Sequence, residues 1–232
     1  MSSDLLMTPQ VSVQVSRKSR AGTAVMDSLA DAKSGLTKIP DKLFQLAGMS
    51  GRRYRIFINQ LIGRLADARY LEVGCWAGST LCSAIFGNDG ITALAIDNFT
   101  QFGGPAAQFF VHLGMAHPKD ARISFLNQDY RNVDLRLFGP FNVYLFDGPH
   151  EYQDHADAIA WAAPHLDDDA VLIVDDWNWE RVRAGTLDAL KATGLRIDTR
   201  IEIRTTLDES YPAIDQQHSD WHNGYAVFVL GR

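Results

Sequence analysis

The sequence predicts an α/β protein built on a doubly wound, seven-stranded sheet, mostly parallel, with an antiparallel C-terminal strand and helices on both faces. Three observations predict it. Residues 70–80, YLEVGCWAGST, read as strand, glycine turn and helix start, the unit from which such sheets are wound. Further short apolar runs follow, most of them separated by segments of helical periodicity. The last two runs have no helical pattern between them, and only antiparallel strands can be joined without a crossover.

Residues 1–20 are polar and lack clear periodicity, as in a segment that is mobile or lies on a partner. Residues 21–33 read as a short helix with Val25, Leu29 and Ala32 on one side. Ile39-Pro40 ends that segment, because the residue before proline is pushed out of the α region. Residues 1–45 are thus an N-terminal extension, partly helical or disordered, and residues 46–232 the main domain. Gly48-Met49-Ser50-Gly51 is a turn, with Ser50 available as a cap. Residues 52–66 place Ile56, Phe57, Leu61, Ile62 and Leu65 at helical spacing. After the strand 70–73, Ser79 and Thr80 stand where a helix needs a cap, ahead of Leu81, Ala84 and Ile85.

The apolar run 91–96 suits a strand buried on both faces, and it ends in Asp97. Residues 98–105, NFTQFGGP, form a glycine-rich loop before a helix over 106–115. Strands follow at 122–126, before Asn-Gln-Asp-Tyr, and at 141–146, before Asp-Gly-Pro-His. A helix over 152–166 leads to a strand at 170–174 that ends in Asp175-Asp176-Trp177. A helix over 179–193 stops at Gly194. Strands 195–203 and 225–230 are the antiparallel pair. The loop 204–224, with Tyr211, His218 and Trp221, has the length of a lid.

Composition narrows the function. A chain with 46% hydrophobic residues and a net charge of -6 suits one globular domain and a small-molecule partner. A general nucleic-acid binder is usually basic, because phosphate contacts need Lys and Arg. Cys75 and Cys82 are too few and too close for a disulfide framework, and are expected to be reduced. No apolar run approaches the ~20 residues that span a bilayer. The expectation is a cytoplasmic protein that binds neither nucleic acid nor membrane, with the N-terminal helix as a candidate contact in a homo-oligomer.

Every proposed parallel strand carries an acid at or near its end: Glu72, Asp97, Asp129, Asp147 and Asp175-Asp176. Ligands of open α/β sheets bind beyond those ends. Any one of these acids alone reads equally as a helix cap or turn residue. Gly74 and Gly78 are spaced G-x-x-x-G, unlike the dinucleotide fingerprint, and the chain has no Walker G-K-[ST]. Glu72, two residues before the first glycine, fits a ligand with a positive charge and hydroxyls better than a pyrophosphate.

E-V-G-C-W-A-G-S-T resembles the first motif of the class I S-adenosylmethionine-dependent methyltransferases. The resemblance, over about residues 48–230, implies a Rossmann-like sheet, S-adenosylmethionine as cofactor and methyl transfer to a small-molecule acceptor. The implied cofactor set is Glu72, Gly74, Gly78, Ser79, Asp97, Asn98, Asp129 and Tyr130, with Asp97 on the ribose hydroxyls and Asp129 near the adenine. F-D-G-P-H followed by V-D-D-W resembles the metal site of Mg2+-dependent O-methyltransferases that act on sugar hydroxyls of macrolides and related glycosides. It implies Asp147, Asp175 and Asp176 as metal ligands, Asp147 and His150 as catalytic residues, and His150 as the base. Adjacent strand residues point to opposite faces, so Asp175 and Asp176 can share an ion only if the chain has left the strand between them. Trp177, Trp179, Phe99 and Phe102 are candidates for a substrate wall, and Arg181 and Arg183 either bind an acidic acceptor or form a solvated helix face. Rival readings are metal-independent N- or O-methylation, a non-catalytic S-adenosylmethionine-binding protein, and an NAD-type oxidoreductase, the last disfavoured by the missing glycine fingerprint.

Overall fold

A computed structural model describes residues 8–213 and 220–232. His218 and residues 1–7 lie outside the described residues. Fifteen principal elements follow along the chain: β1 (Gln10–Val15), α1 (Arg20–Ser34), α2 (Asp41–Phe44), α3 (Arg52–Arg64), β2 (Arg69–Val73), α4 (Ser79–Ile85), β3 (Thr92–Asp97), α5 (Ala106–Ala116), β4 (Arg122–Asn127), β5 (Phe141–Phe146), α6 (Tyr152–Ala162), β6 (Leu166–Asp175), α7 (Glu180–Thr193), β7 (Arg196–Arg204) and β8 (Tyr225–Gly231).

Among the described residues, one sheet holds all the strands, in the order β1-β7-β8-β6-β5-β2-β3-β4. The strands from β6 to β4 in that order pair parallel. β8 runs antiparallel between β6 and β7, which fulfils the expectation of an antiparallel ending. The sheet has eight strands, not seven. The additional one is β1, within the segment read as mobile or partner-bound, and it pairs antiparallel with β7 along six residues. QVSVQV does alternate valine with polar residues at the strand period. Its valines bury little, because an edge strand packs on one neighbour only: Val11 is half-buried, and Val13 and Val15 are exposed. The periodicity was there, but without the apolar density that marks the inner strands.

Two apolar layers flank the sheet. Alternation along each strand assigns its residues to one or the other. Ala93, Val143, Leu145, Val171, Ile173, Val227 and Val229 face α1, α3, α4 and α5, and Leu94, Ile96, Tyr144, Phe146, Leu172, Val174 and Phe228 face α6 and α7. In α1, Ser19 caps the start by accepting from Gly22 N, Gly35 ends it in the left-handed region, and Val25, Leu29 and Ala32 are all buried, many of these contacts being with α3.

Two caps differ from expectation. Gly78, at φ 84°, holds the cap position of α4, and Gly51 that of α3. Ser50 and Ser79 instead hydrogen-bond to each other at 3.1 Å, joining the two helix starts. The helix expected over 152–166 stops at Ala162; Pro164 falls in a 3-10 turn, and β6 begins at Leu166. Gly194 ends α7 at φ 69°, as expected.

Candidate active site

A cavity of about 800 Å³ opens beyond the carboxyl ends of the parallel strands. Gly74, Ser79, Asp97, Asn98, Asp129 and Tyr130 line one part of it, and Asp147, His150, Asp175 and Asp176 another. Glu72 and Gly78 are not in its wall.

Glu72 shares the parity of Tyr70, so it points away from the α6–α7 face and under the start of α4. It is 1% exposed, and the Tyr70 hydroxyl donates to its Oε2 at 2.6 Å. Burial pushes its carboxyl up to about 8, against the lowering effect of the tyrosine bond. Gly74 and Gly78 let protein elements approach one another. A Cβ at Gly74 (φ 91°) would overlap the Asp147 carbonyl, and one at Gly78 would press on the Phe109 ring.

Asp97 ends β3 with both carboxylate oxygens engaged. Oδ2 accepts from Trp76 N at 2.7 Å, and Oδ1 from Phe99 N at 2.6 Å. Two backbone donors fix the plane of the carboxylate and leave a lone pair on each oxygen for a ligand. Trp76 reaches this position through a left-handed backbone, φ 41°, and its indole donates to Phe102 O. Asp129 accepts from Arg131 N and pairs with the Arg131 guanidinium. Tyr130 is buried against Phe146 and Trp161, with Arg131 over its ring.

At the other end the chain does leave the strand between the paired acids. β6 stops at Asp175, and Asp176 turns to φ 56°. Asp176 does not cap α7; its Oδ1 accepts from Asn223 Nδ2 at 2.8 Å, and its Oδ2 lies 3.1 Å from His150 Nε2. Asp147 and Asp175 face each other. Burial first, then each neighbouring carboxylate, pushes both well above the usual carboxylate range. Such a buried pair favours either a shared proton or a cation between the two groups.

The donor atoms of Asp175, Asp176 and His222 all lie within 4.8 Å of one another. This group contains a histidine the sequence reading passed over and not Asp147, which stands opposite Asp175. Tyr225, 1% exposed, stacks on Tyr54 with centroids 3.6 Å apart. Its hydroxyl makes no hydrogen bond of ordinary geometry, yet it stands close enough to Asp175 to steady that carboxylate. These buried carboxylates with an unsatisfied hydroxyl fit a divalent cation. The donor set of oxygens plus one imidazole is that of a hard or borderline ion.

His150 Nδ1 is buried with no hydrogen-bond partner, and burial lowers the ring below its usual range, so the imidazole is neutral at neutral pH. His155 is fully buried, edge-on to Phe146, and burial holds it down at about 3. The candidate aromatic wall divides. Trp179 and Phe102 line the cavity, whereas Trp177 is core and Phe99 packs on Phe109 and Phe125. Arg181 lines the cavity with its guanidinium 4.4 Å from the Trp179 ring centre. Arg183 instead donates to Trp177 O and Asn178 O. In the 204–224 loop, Tyr211 reaches the cavity and Trp221 is buried in the core. His222 and Trp76 carried one weak signal each, a position beside the Asn-Gly turn before β8 and a place inside the glycine turn.

Residues 71–177 match the family model of a methyltransferase domain. No protein of curated function matches the chain by sequence. Among solved structures, cofactor-bound Rv0187 from MTB is 18% identical, covers 92% of this chain and 90% of its own, and superposes with a TM-score of 0.56. The O-methyltransferase TomG from Streptomyces achromogenes, solved with SAM, is 14% identical over 94% of this chain and 92% of its own (TM-score 0.53). An O-methyltransferase from Bacillus cereus, solved with SAH, is 14% identical over 90% and 99% (TM-score 0.54). At such identities the likeness concerns the fold, and the domain match covers somewhat less than half of the chain. Residues 71–177 are thus similar to a methyltransferase domain, and the strand order and cavity belong to a fold shared with these structures.

Proposed function

We propose that this enzyme transfers the methyl group of S-adenosylmethionine to a hydroxyl of a small molecule, a sugar or glycoside, with a divalent cation assisting. One observation carries the reading. A single cavity has a diol-competent carboxylate, Asp97, in one part and buried Asp175 and Asp176, with His150 and Asp147, in another. The net charge of -6 supports a small acceptor over nucleic acid.

In this reading Asp97 takes the ribose hydroxyls, with Trp76 N and Phe99 N holding its plane. Asp129 and Tyr130 flank the adenine. The cation, when bound, lowers the pKa of an acceptor hydroxyl. The acceptor oxygen attacks the methyl carbon, the carbon–sulfur bond breaks, and its electron pair leaves with the neutral thioether. The hydroxyl proton passes to His150. Nδ1 is buried, so the accepting nitrogen would be Nε2, freed for the task when Asp176 turns from the ring to the cation and the ring proton moves to Nδ1. Trp179, edge-on to Tyr211 with centroids 5.3 Å apart, offers an aromatic surface on which a sugar ring can stack.

A metal-independent reading has an observation of its own. The His150 Nε2–Asp176 contact forms without an ion, and Asp147 and Asp175 can satisfy each other by sharing a proton. Calorimetric titration of S-adenosylhomocysteine, with Mg2+ and with EDTA, followed by turnover on glycosides, separates the two. The proposal expects cofactor binding in both, and turnover that EDTA and Asp175→Ala each abolish. Turnover that survives EDTA but not Asp175→Ala replaces it with the metal-independent reading.

A further inference from the structure

This inference rests on the cation-assisted reading and specifies its metal. We infer that His222 supplies an imidazole nitrogen to the cation held by Asp175 and Asp176, so that the centre is a mixed nitrogen–oxygen site selecting Mn2+ over Mg2+.

The geometry carries it. Ligand atoms that share one ion through bonds of ~2.1 Å lie at most ~4.2 Å apart. The donors of Asp175, Asp176 and His222, all within 4.8 Å, need only a small side-chain adjustment to meet that limit. The segments that bear them are zipped together. Trp177 N donates to Gly224 O at 3.2 Å and Asn178 N to Asn223 O at 3.1 Å. Asn223 Nδ2 holds Asp176 Oδ1, and Thr205 Oγ1 donates to His222 O at 2.8 Å. His222 and Asp176 are therefore positioned as one unit.

A separate observation points to a ligand at this spot. The Tyr225 hydroxyl, buried on a residue 1% exposed and unsatisfied, is aimed at Asp175 from the strand that follows His222. Leaving such a donor without a partner is unfavourable, and a ligand oxygen at an occupied centre would give it one. The donor chemistry then fixes the preference. Mg2+ favours all-oxygen octahedral shells, whereas an imidazole raises affinity along the transition series.

The test uses the full chain and Mn2+ itself. Free Mn2+ is followed by electron paramagnetic resonance during titration, Mg2+ is added as competitor, and the bound ion is examined for coupling to a 14N nucleus. Wild type is expected to show 14N coupling and Mn2+ binding at least ~10-fold tighter than Mg2+. His222→Ala and His222→Gln are expected to lose the coupling and ~10-fold or more of Mn2+ affinity, with S-adenosylhomocysteine binding as the control for folding. Mn2+ bound equally well by these variants, or bound by wild type without 14N coupling, overturns the role of His222 and leaves an oxygen-only centre. Binding of neither ion by a protein that binds S-adenosylhomocysteine overturns the cation reading itself, and this inference with it.

Discussion

Glu72 stands where a charged contact to the cofactor was expected, yet strand parity turns it away from the cavity and under α4, bonded to Tyr70. Its acidity follows from that position. The folded-state value is about 8, against an ordinary 4.5. Below the ordinary value both folded and unfolded chains hold the proton, and the contribution to stability is fully present. Between the two values only the folded chain holds it, so stability falls as pH rises through 8. Glu72→Gln keeps an acceptor for Tyr70 and removes the titration. It is expected to raise stability at pH 8 by about 2 kcal/mol, some ~4–8 °C in Tm, and to change little at pH 4.5. Thermal melts at the two pH values decide this, and equal shifts at both would exclude it. At Gly74, a methyl group would collide with the Asp147 carbonyl on a backbone at φ 91°. Gly74→Ala is expected to cost ~2–4 kcal/mol by urea denaturation, or to prevent folding.

At the scale of elements, Asn178 joins three of them. Its Nδ2 donates to Thr205 Oγ1 and Asn223 Oδ1, both at 2.9 Å, and its Oδ1 accepts from Thr205 N. The residue is fully buried and ties the start of α7 to the end of β7 and the approach to β8. Asn178→Ala strands several polar groups and is expected to cost ~2–4 kcal/mol in denaturant melts. It should also weaken cation binding, since Asn223 loses the partner that orients it toward Asp176. β1 lies at the opposite edge of the sheet from β3 and β4. Deleting residues 1–16 is therefore expected to lower stability yet leave S-adenosylhomocysteine affinity within ~2-fold by calorimetry, because the strands that line the cofactor end keep their neighbours. A larger loss of affinity would show coupling along the sheet. Dense apolar runs such as 141–146 were legible to the residue, because a strand covered on both faces has only one composition open to it. β1 was not, because its hydrogen bonds depend on a partner more than 180 residues away. The caps at Gly51 and Gly78 escaped because backbone φ, not side-chain chemistry, selected them.

For the molecule as a whole, the carboxylates at strand ends were legible as a set, because a parallel sheet places all such ends on one edge. Asp97, Asp129, Asp147, Asp175 and Asp176 do line one cavity. His222 and Tyr225 were not legible, since they enter from the turn before β8 and from the start of that antiparallel strand, whose approach to the site depends on tertiary pairing alone. His155 adds a global signature. Its folded value is about 3 against an ordinary 6.5, so the folded chain resists a proton that the unfolded chain takes up. Stability is intact above pH 6.5 and declines as pH falls toward 3. His155→Gln is expected to flatten that acid limb in melts between pH 4 and 7, and an unchanged slope would assign the limb to other groups.

The position of β8 has a consequence for how the chain is made. It is made after β6 and β7, yet it sits between them, bonded to both, and the residues just before it pair with Trp177 and Asn178. β1 waits for β7 through about 180 residues of synthesis, roughly 10–40 s at ordinary elongation rates. A nascent chain can lay down β2 to β6, and with them every acid of the cluster, but Asp176 lacks Asn223 and β6 lacks its antiparallel neighbour until the segment around β8 follows. A chain stalled before β8 exposes the bare edge of β6 to whatever holdase or protease meets it first.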